Sequence, residues 1–243
     1  MTFNLTYKPY GARAILIEWP AVIDEVILKD IIRFSDVIER KNIKEIVEIK
    51  TAYNSLLVIY ESVCRNYENE VEKLKNYYFS KGFEYDNMSK LWKIPVCYDA
   101  VFGIDLEAIS LAKNISKEAI IERHSQVNYT VFFIGFLPGF LYLGGLDELL
   151  YFPRKETPKL SVKKGAVAIG GNQTGVYPNE SPGGWNIIGN TPISFFDIEK
   201  SNPCFAKSGD CIKFHSVTIK EYHNIKKLVD TGVYQMESEV IDG

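Results

Sequence analysis

Between Val22 and Arg40 the apolar residues Ile23, Ile27, Ile31, Phe34 and Ile38 recur at three- and four-residue intervals with charge between them. That is the spacing of a helix with one buried face, and Asp24 and Glu25 suit its positive N-terminal end. Ahead of it, residues 3–8 and 13–19 are rich in β-formers around Gly11, which predicts two short strands and a turn. Behind it, Ile43 to Ile49 and Ser55 to Tyr60 read as strands, and Tyr67 to Phe79 as a second helix stopped by Lys81-Gly82. The polar stretch from Gly82 to Lys90 then suggests a domain boundary near residue 88. A strand over Leu91 to Val96 opens the second part, followed by helical patterns at Ile104 to Lys113 and Lys117 to Gln126, the latter with Ser116 as candidate N-cap. From Asn128 to His215 the texture changes to short apolar runs between Gly, Pro and Thr, the pattern of an all-β sheet or barrel.

Composition excludes several classes. With 243 residues, 46% hydrophobic and 24% charged, the chain is long enough for one large core or two moderate ones and too apolar for disorder. A net charge of −3 gives no broad attraction for nucleic acid or anionic membrane. No run of some 18 apolar residues and no leader-like N-terminus is present, which points to the cytoplasm. The four cysteines form no CxxC pair and no zinc-ligand set with the histidines, so they read as reduced, mostly buried thiols, and no metal site is expected.

Candidate chemistry gathers between Gly135 and Pro192, in three stretches read as loops. In the first, Gly135 to Gly145, Pro138, Gly139 and Phe140 shape either an aromatic-plugged turn or a rigid loop facing a ligand or partner. The second, Gly170 to Pro178, groups Gln173, Thr174 and Tyr177, which suit a small polar substrate; a plain hairpin turn is the alternative. In the third, Gly183 and Gly184 precede Trp185, either a pocket wall or partner anchor or an ordinary core residue. Arg154 and Lys159 lie in a proline-stiffened segment fit to meet carboxylate or phosphate, or are solvated surface charges. His124, at the end of a helix whose dipole would raise its proton affinity, is a general acid or base candidate, or a structural histidine. Phosphate-loop, dinucleotide, nucleophile-elbow and HExxH signatures are all missing.

These stretches resemble the family that contains the B-type subunit of 5-oxoprolinase, the kinase A inhibitor of sporulating bacteria and allophanate hydrolase subunit 1. The resemblance rests on Ile94-Pro-Val-Cys-Tyr98, Phe102-Gly-Ile-Asp-Leu106, His124, Gly135 to Leu146, Gln173 to Pro178 and Ser181 to Gly189. It implies an α+β fold, with a small α+β domain over residues 1–88 and a cyclophilin-like β-barrel domain over 89–243. Also implied is a hetero-oligomer with a homologous larger barrel partner, the C-type subunit of 5-oxoprolinase, and with its ring-opening A-type subunit. The activity implied is ATP-dependent phosphorylation of the 5-oxoproline lactam oxygen and opening to L-glutamate, with ATP and Mg shared with the partner. Gln173, Thr174 and Tyr177 are then expected to contact substrate, Arg154 and Lys159 anions, and His124 to transfer a proton. Where relatives often carry arginine, this chain has Asn190 and Lys159, which removes bidentate geometry. Docking on a histidine kinase through Phe136, Phe140 or Trp185, or an allophanate hydrolase or urea carboxylase role, are the alternatives.

Overall fold

The computed structural model describes residues 2–80 and 88–242, and the chain divides into two compact units, Met1–Asn87 and Met88–Gly243. The expected helix stop at Lys81-Gly82, and most of the polar stretch in which the boundary is expected, lie outside the described residues.

In the first unit, strands β1 (Thr6–Tyr10), β2 (Ala14–Glu18), β3 (Ile46–Thr51) and β4 (Ser55–Tyr60) form an antiparallel sheet of order β1-β2-β4-β3. Gly11, at φ +62°, turns β1 into β2, a left-handed conformation that glycine adopts without steric cost. Helices α1 (Glu25–Arg40) and α2 (Tyr67–Tyr78) complete the unit. Helix α1 starts three residues later than its apolar period suggests, because the Asp24 carboxylate accepts from the backbone N–H groups of Val26 and Ile27 and fixes the N-cap there. Its Ile27, Ile31, Phe34 and Ile38 share a core with Ile15, Ile17, Leu56 and Val58. Fully burying one such side chain contributes about 1.5–3 kcal/mol.

The second unit opens with β5 (Met88–Val96), α3 (Leu106–Lys113), α4 (Lys117–Gln126), β6 (Asn128–Ile134) and β7 (Leu141–Gly144). Then come β8 (Lys159–Val162), β9 (Ala166–Gly170), β10 (Gln173–Val176), β11 (Ser181–Gly183) and β12 (Asn186–Asn190), and last β13 (Cys211–Ser216), α5 (Ile219–Asp230) and β14 (Ser238–Asp242). They make a five-stranded sheet of order β14-β5-β13-β6-β7, a three-stranded sheet β10-β9-β12 and a pair β11-β8. None of these sheets closes on itself, so the architecture observed is α+β with open sheets in place of the expected closed barrel. Strands β5 and β13 run parallel and contribute Ile94, Val96, Ile212 and Phe214 to the core without exposure. All five residues of β9 are buried, the mark of a strand covered on both faces.

Candidate functional site

Glycines in this region make room for aromatic rings. A Cβ on Gly170 would lie 2.5 Å from the Trp185 indole, one on Gly183 would lie 2.3 Å from the Tyr177 hydroxyl, and one on Gly175 would meet both Trp185 and Phe140. Into that space Phe140 sets its ring edge-on to Trp185 at 5.6 Å and to Tyr177 at 5.8 Å, geometries favoured by the ring quadrupoles. The Tyr177 hydroxyl accepts from the Trp185 backbone N–H, while burial pushes its pKa up. Gly139 is required twice over: it sits at φ +82°, and a Cβ there would come 2.8 Å from the Phe195 carbonyl oxygen. It closes the turn after Pro138, in which the Phe140 N–H donates to the Leu137 carbonyl at 3.0 Å.

Two of the three stretches expected to be loops are therefore largely strand, and so is the end of the other. Leu141 to Gly144 forms β7, Gln173 to Val176 forms β10, and Ser181 to Gly183 and Asn186 to Asn190 form β11 and β12. Glycines inside strands mark close approaches of ring and backbone here, not loop tips. Thr174 has no exposure, and Tyr177, Phe140 and Trp185 are 2%, 3% and 5% exposed, so these four side chains are walls and supports. Gln173 is half-buried at the turn end of the β9–β10 hairpin, opposite Gly170. Gly183 is half-buried and Gly184 lends its carbonyl to the Lys155 N–H at 2.7 Å.

The segment between β7 and β8 is tied across this frame. Phe152 and Gly171 exchange backbone hydrogen bonds, and the buried Asn186 amide donates to the Pro153 carbonyl at 2.8 Å. Arg154, an exposed residue of the segment, places its guanidinium 5.5 Å from the Trp185 ring centre, a cation–π contact. Lys159 is differently disposed from expectation. Its ammonium lies 3.6 Å from the Asp105 carboxylate, which Lys155 approaches to 2.8 Å and whose other role is to accept the Ile187 N–H at 2.8 Å. Asp105, only 8% exposed, thus uses both lysines as counter-charges. Neither Asp105 nor Lys155 stands out in the sequence, although Asp105 lies within Phe102 to Leu106, a stretch that carries the family resemblance.

His124 is wholly buried, and burial pushes its pKa down to about 3, against the upward shift expected from the helix end. Desolvation outweighs the helix dipole because the ring has left water and no carboxylate among the described residues faces it. Its tautomer follows from its neighbours. Thr174 donates its hydroxyl proton to the Ala168 carbonyl at 3.1 Å, so its oxygen accepts from His124 Nε2–H at 2.8 Å. Nδ1 then accepts from the Tyr98 hydroxyl at 2.7 Å. Phe214 stacks on the ring at 4.8 Å. A neutral, fully partnered imidazole joins α4, the segment that follows β5, β10 and β13 and offers no face to a substrate.

Asn190, also buried, donates to the Lys164 carbonyl and accepts from the Tyr222 hydroxyl at 2.7 Å, a core position that binds strand β12 to helix α5. Of the cysteines, Cys97 is buried and the other three are half-buried. Among the described residues no group of three or more His, Cys, Asp and Glu side chains is placed to hold a metal ion, and no helix is long and apolar enough to cross a membrane.

Residues 5–206 match the family described as carboxyltransferase domain, subdomain C and D. The chain belongs to this family. The match spans both units and leaves β13, α5 and β14 outside it. Over 93% of its length the chain is 32% identical to the B-type subunit of 5-oxoprolinase from Bacillus subtilis (strain 168), covering 99% of that protein. It is 38% identical to the B-type subunit of 5-oxoprolinase from Escherichia coli O157:H7, over 70% of the chain and 77% of the relative. Urea carboxylase from Kluyveromyces lactis superposes on 98% of the chain with a TM-score of 0.80 and 21% identity. The chain spans 24% of that longer protein, and the likeness is one of fold.

Proposed function

We propose that this chain is a subunit of a bacterial 5-oxoprolinase that acts with partner subunits to open 5-oxoproline to L-glutamate in an ATP-driven reaction. The observation that carries the reading is the identity of 32% and 38%, over most of the chain, to proteins named as B-type subunits of 5-oxoprolinase. In the same reading the partners are a homologous larger subunit and a ring-opening subunit, activity requires the complex, and the assembly works in the cytoplasm. The second unit belongs to the cyclophilin-like class, with β7 and β10 side by side joining the five- and three-stranded sheets around one core.

A lactam resists water because its nitrogen lone pair is delocalised into the carbonyl. ATP, when bound, supplies the phosphoryl group that activates it, with Mg held jointly with the partner. This chain's own contribution is positioning and charge, the main requirements of phosphoryl transfer. The residues present fit an anion at Arg154. Its guanidinium fork, with no ion pair among the described residues, stands beside the aromatic wall and holds a phosphate or carboxylate oxygen there. Lys155 and Lys159 are partly neutralised by Asp105 and hold the Arg154 segment to the frame. Gln173 orients the lactam by its amide. Thr174, Tyr177 and Trp185 shape and stiffen the surface, and His124 acts through Thr174 as a positioning residue.

The test is ATP-dependent conversion of 5-oxoproline to glutamate by the chain alone and mixed with the partner subunits. Turnover in the mixture only is expected. Arg154→Ala and Gln173→Ala are expected to reduce turnover at least tenfold with the complex intact. A stable complex without turnover sinks the subunit reading, and wild-type turnover in both variants sinks the site. Of the three side chains expected to anchor a histidine kinase, Phe140 and Trp185 are buried and Phe136 alone is exposed, at 65%. The docking alternative therefore reduces to that one residue.

A further inference from the structure

The first unit contains a cavity of about 730 Å³ between β4 and α2, a size typical of small-molecule sites. None of its lining residues belongs to the site described above. Ile46, Tyr60, Leu74 and Tyr77 give it an apolar floor. Tyr60 is 5% exposed, yet its hydroxyl makes no hydrogen bond among the described residues. No enclosed side-chain oxygen or nitrogen is left unsatisfied among the described residues, so this hydroxyl opens on the cavity as a donor without an acceptor.

The charges around the floor are of both signs. Lys73 is paired with Glu70 at 2.7 Å and also feels Glu45, so one ammonium is divided between two carboxylates. Arg65, also on the wall, is exposed and has no ion pair among the described residues. Anionic capacity is thus left over at Glu45 and cationic capacity at Arg65, above a floor with two aromatic rings and one idle donor. A purely anionic ligand would meet Glu45 and Glu70, and a purely cationic one would meet Lys73 and Arg65. Neither pattern fits as well as a ligand that carries both charges.

We propose that this cavity binds a small zwitterion with an apolar body, of the size and chemistry of a dipeptide with free termini. Its ammonium lies against Glu45 and Glu70, its carboxylate takes the Arg65 fork, its side chains cover Tyr60, Leu74 and Tyr77, and the Tyr60 hydroxyl donates to the peptide carbonyl. The site is separate from the chemistry proposed for the second unit, and binding here does not depend on that chemistry.

The experiment is calorimetric titration of the full chain with leucyl-phenylalanine, its N-acetyl derivative and its C-terminal amide, combined with thiol labelling followed by mass spectrometry at Cys64, a half-buried residue of the cavity wall. Saturable binding of the free dipeptide that slows labelling of Cys64 is expected, with each blocked derivative about tenfold weaker. Arg65→Ala should abolish the preference for the free carboxylate, and Glu45→Gln the preference for the free ammonium. Both side chains are exposed, so folding is retained. Absence of saturable heat up to millimolar dipeptide overturns the proposal. So does equal binding of all three compounds, or a loss of affinity in Arg154→Ala matching that in Arg65→Ala. Because no turnover is measured, these outcomes are independent of 5-oxoprolinase activity.

Discussion

Each unit buries a polar cluster in its core, and the two are solved in opposite ways. In the first, the Asp30 carboxylate accepts from Trp19 Nε1 at 2.8 Å and from the Tyr78 hydroxyl at 2.6 Å, and Arg33 forks onto its other oxygen at 3.0 and 3.2 Å. In the second, His124 accepts from one neutral hydroxyl and donates to another, with no counter-charge among its hydrogen-bond partners. A buried ionisable group thus keeps a charge where an opposite charge enters with it and otherwise becomes neutral. Asp30 ties α1 to α2 by charge. His124 joins α4 to β10, β13 and the segment that follows β5 by an ordered tautomer.

The largest expected effects come from removing either centre. Asp30→Ala leaves Arg33 half-buried and unpaired, and His124→Ala leaves a cavity plus an orphaned Tyr98 hydroxyl; each should cost about 3–5 kcal/mol. Hydrogen exchange resolved by peptide should localise the loss to the first unit in one case and to the second in the other. Loss spread evenly over both units would contradict two separate solutions.

Acid should separate the units next. His124 binds a proton near 6.5 when unfolded and near 3 when folded, so below 6.5 the unfolded state holds the extra proton. Stability present at neutral pH is therefore lost as pH falls, by roughly 1.4 kcal/mol per unit between these limits. All three histidines, His124, His215 and His223, lie in the second unit, and His215 is shifted downward by burial as well. Between pH 6.5 and 5 amide protection should fall there and hold in the first unit. A flat profile in the second unit would remove the neutral-imidazole account.

Smaller substitutions test single contacts on either side. Thr174→Val deletes the hydroxyl that accepts from His124 and donates to Ala168, at a cost of about 1–3 kcal/mol in the second unit's urea unfolding. Gly183→Ala forces a methyl group into the Tyr177 ring and should cost about 1–3 kcal/mol, with Tyr177→Leu in the same chain restoring part of it. Asp24→Ala, which removes the N-cap of α1, should cost about 1 kcal/mol, confined to the first unit.

Much of the first unit is legible in the sequence because the apolar residues of α1 recur on one face and β4 is a short continuous apolar run, so period in one case and length in the other reveal type. Glycine misleads in the second unit. A glycine in a strand and one in a loop look alike in sequence, and only the approach of Trp185 to Gly170, or of Tyr177 to Gly183, shows which role each has. The candidate site is legible in outline, at Arg154 and Gln173. Its carboxylate, Asp105, is not, because its two lysines come 50 or more residues later in the chain.

Local spacing and motif identity are enough to determine the α+β class, the position of most helices and strands, the apolar faces and the family, and all of these are written in the chain itself. Tertiary structure alone decides which polar residues reach solvent, whether His124 carries a charge, which cations Asp105 neutralises and where an unfilled cavity lies. Those properties depend on dielectric surroundings and on distances between residues far apart in the chain, and neither is encoded in any one segment.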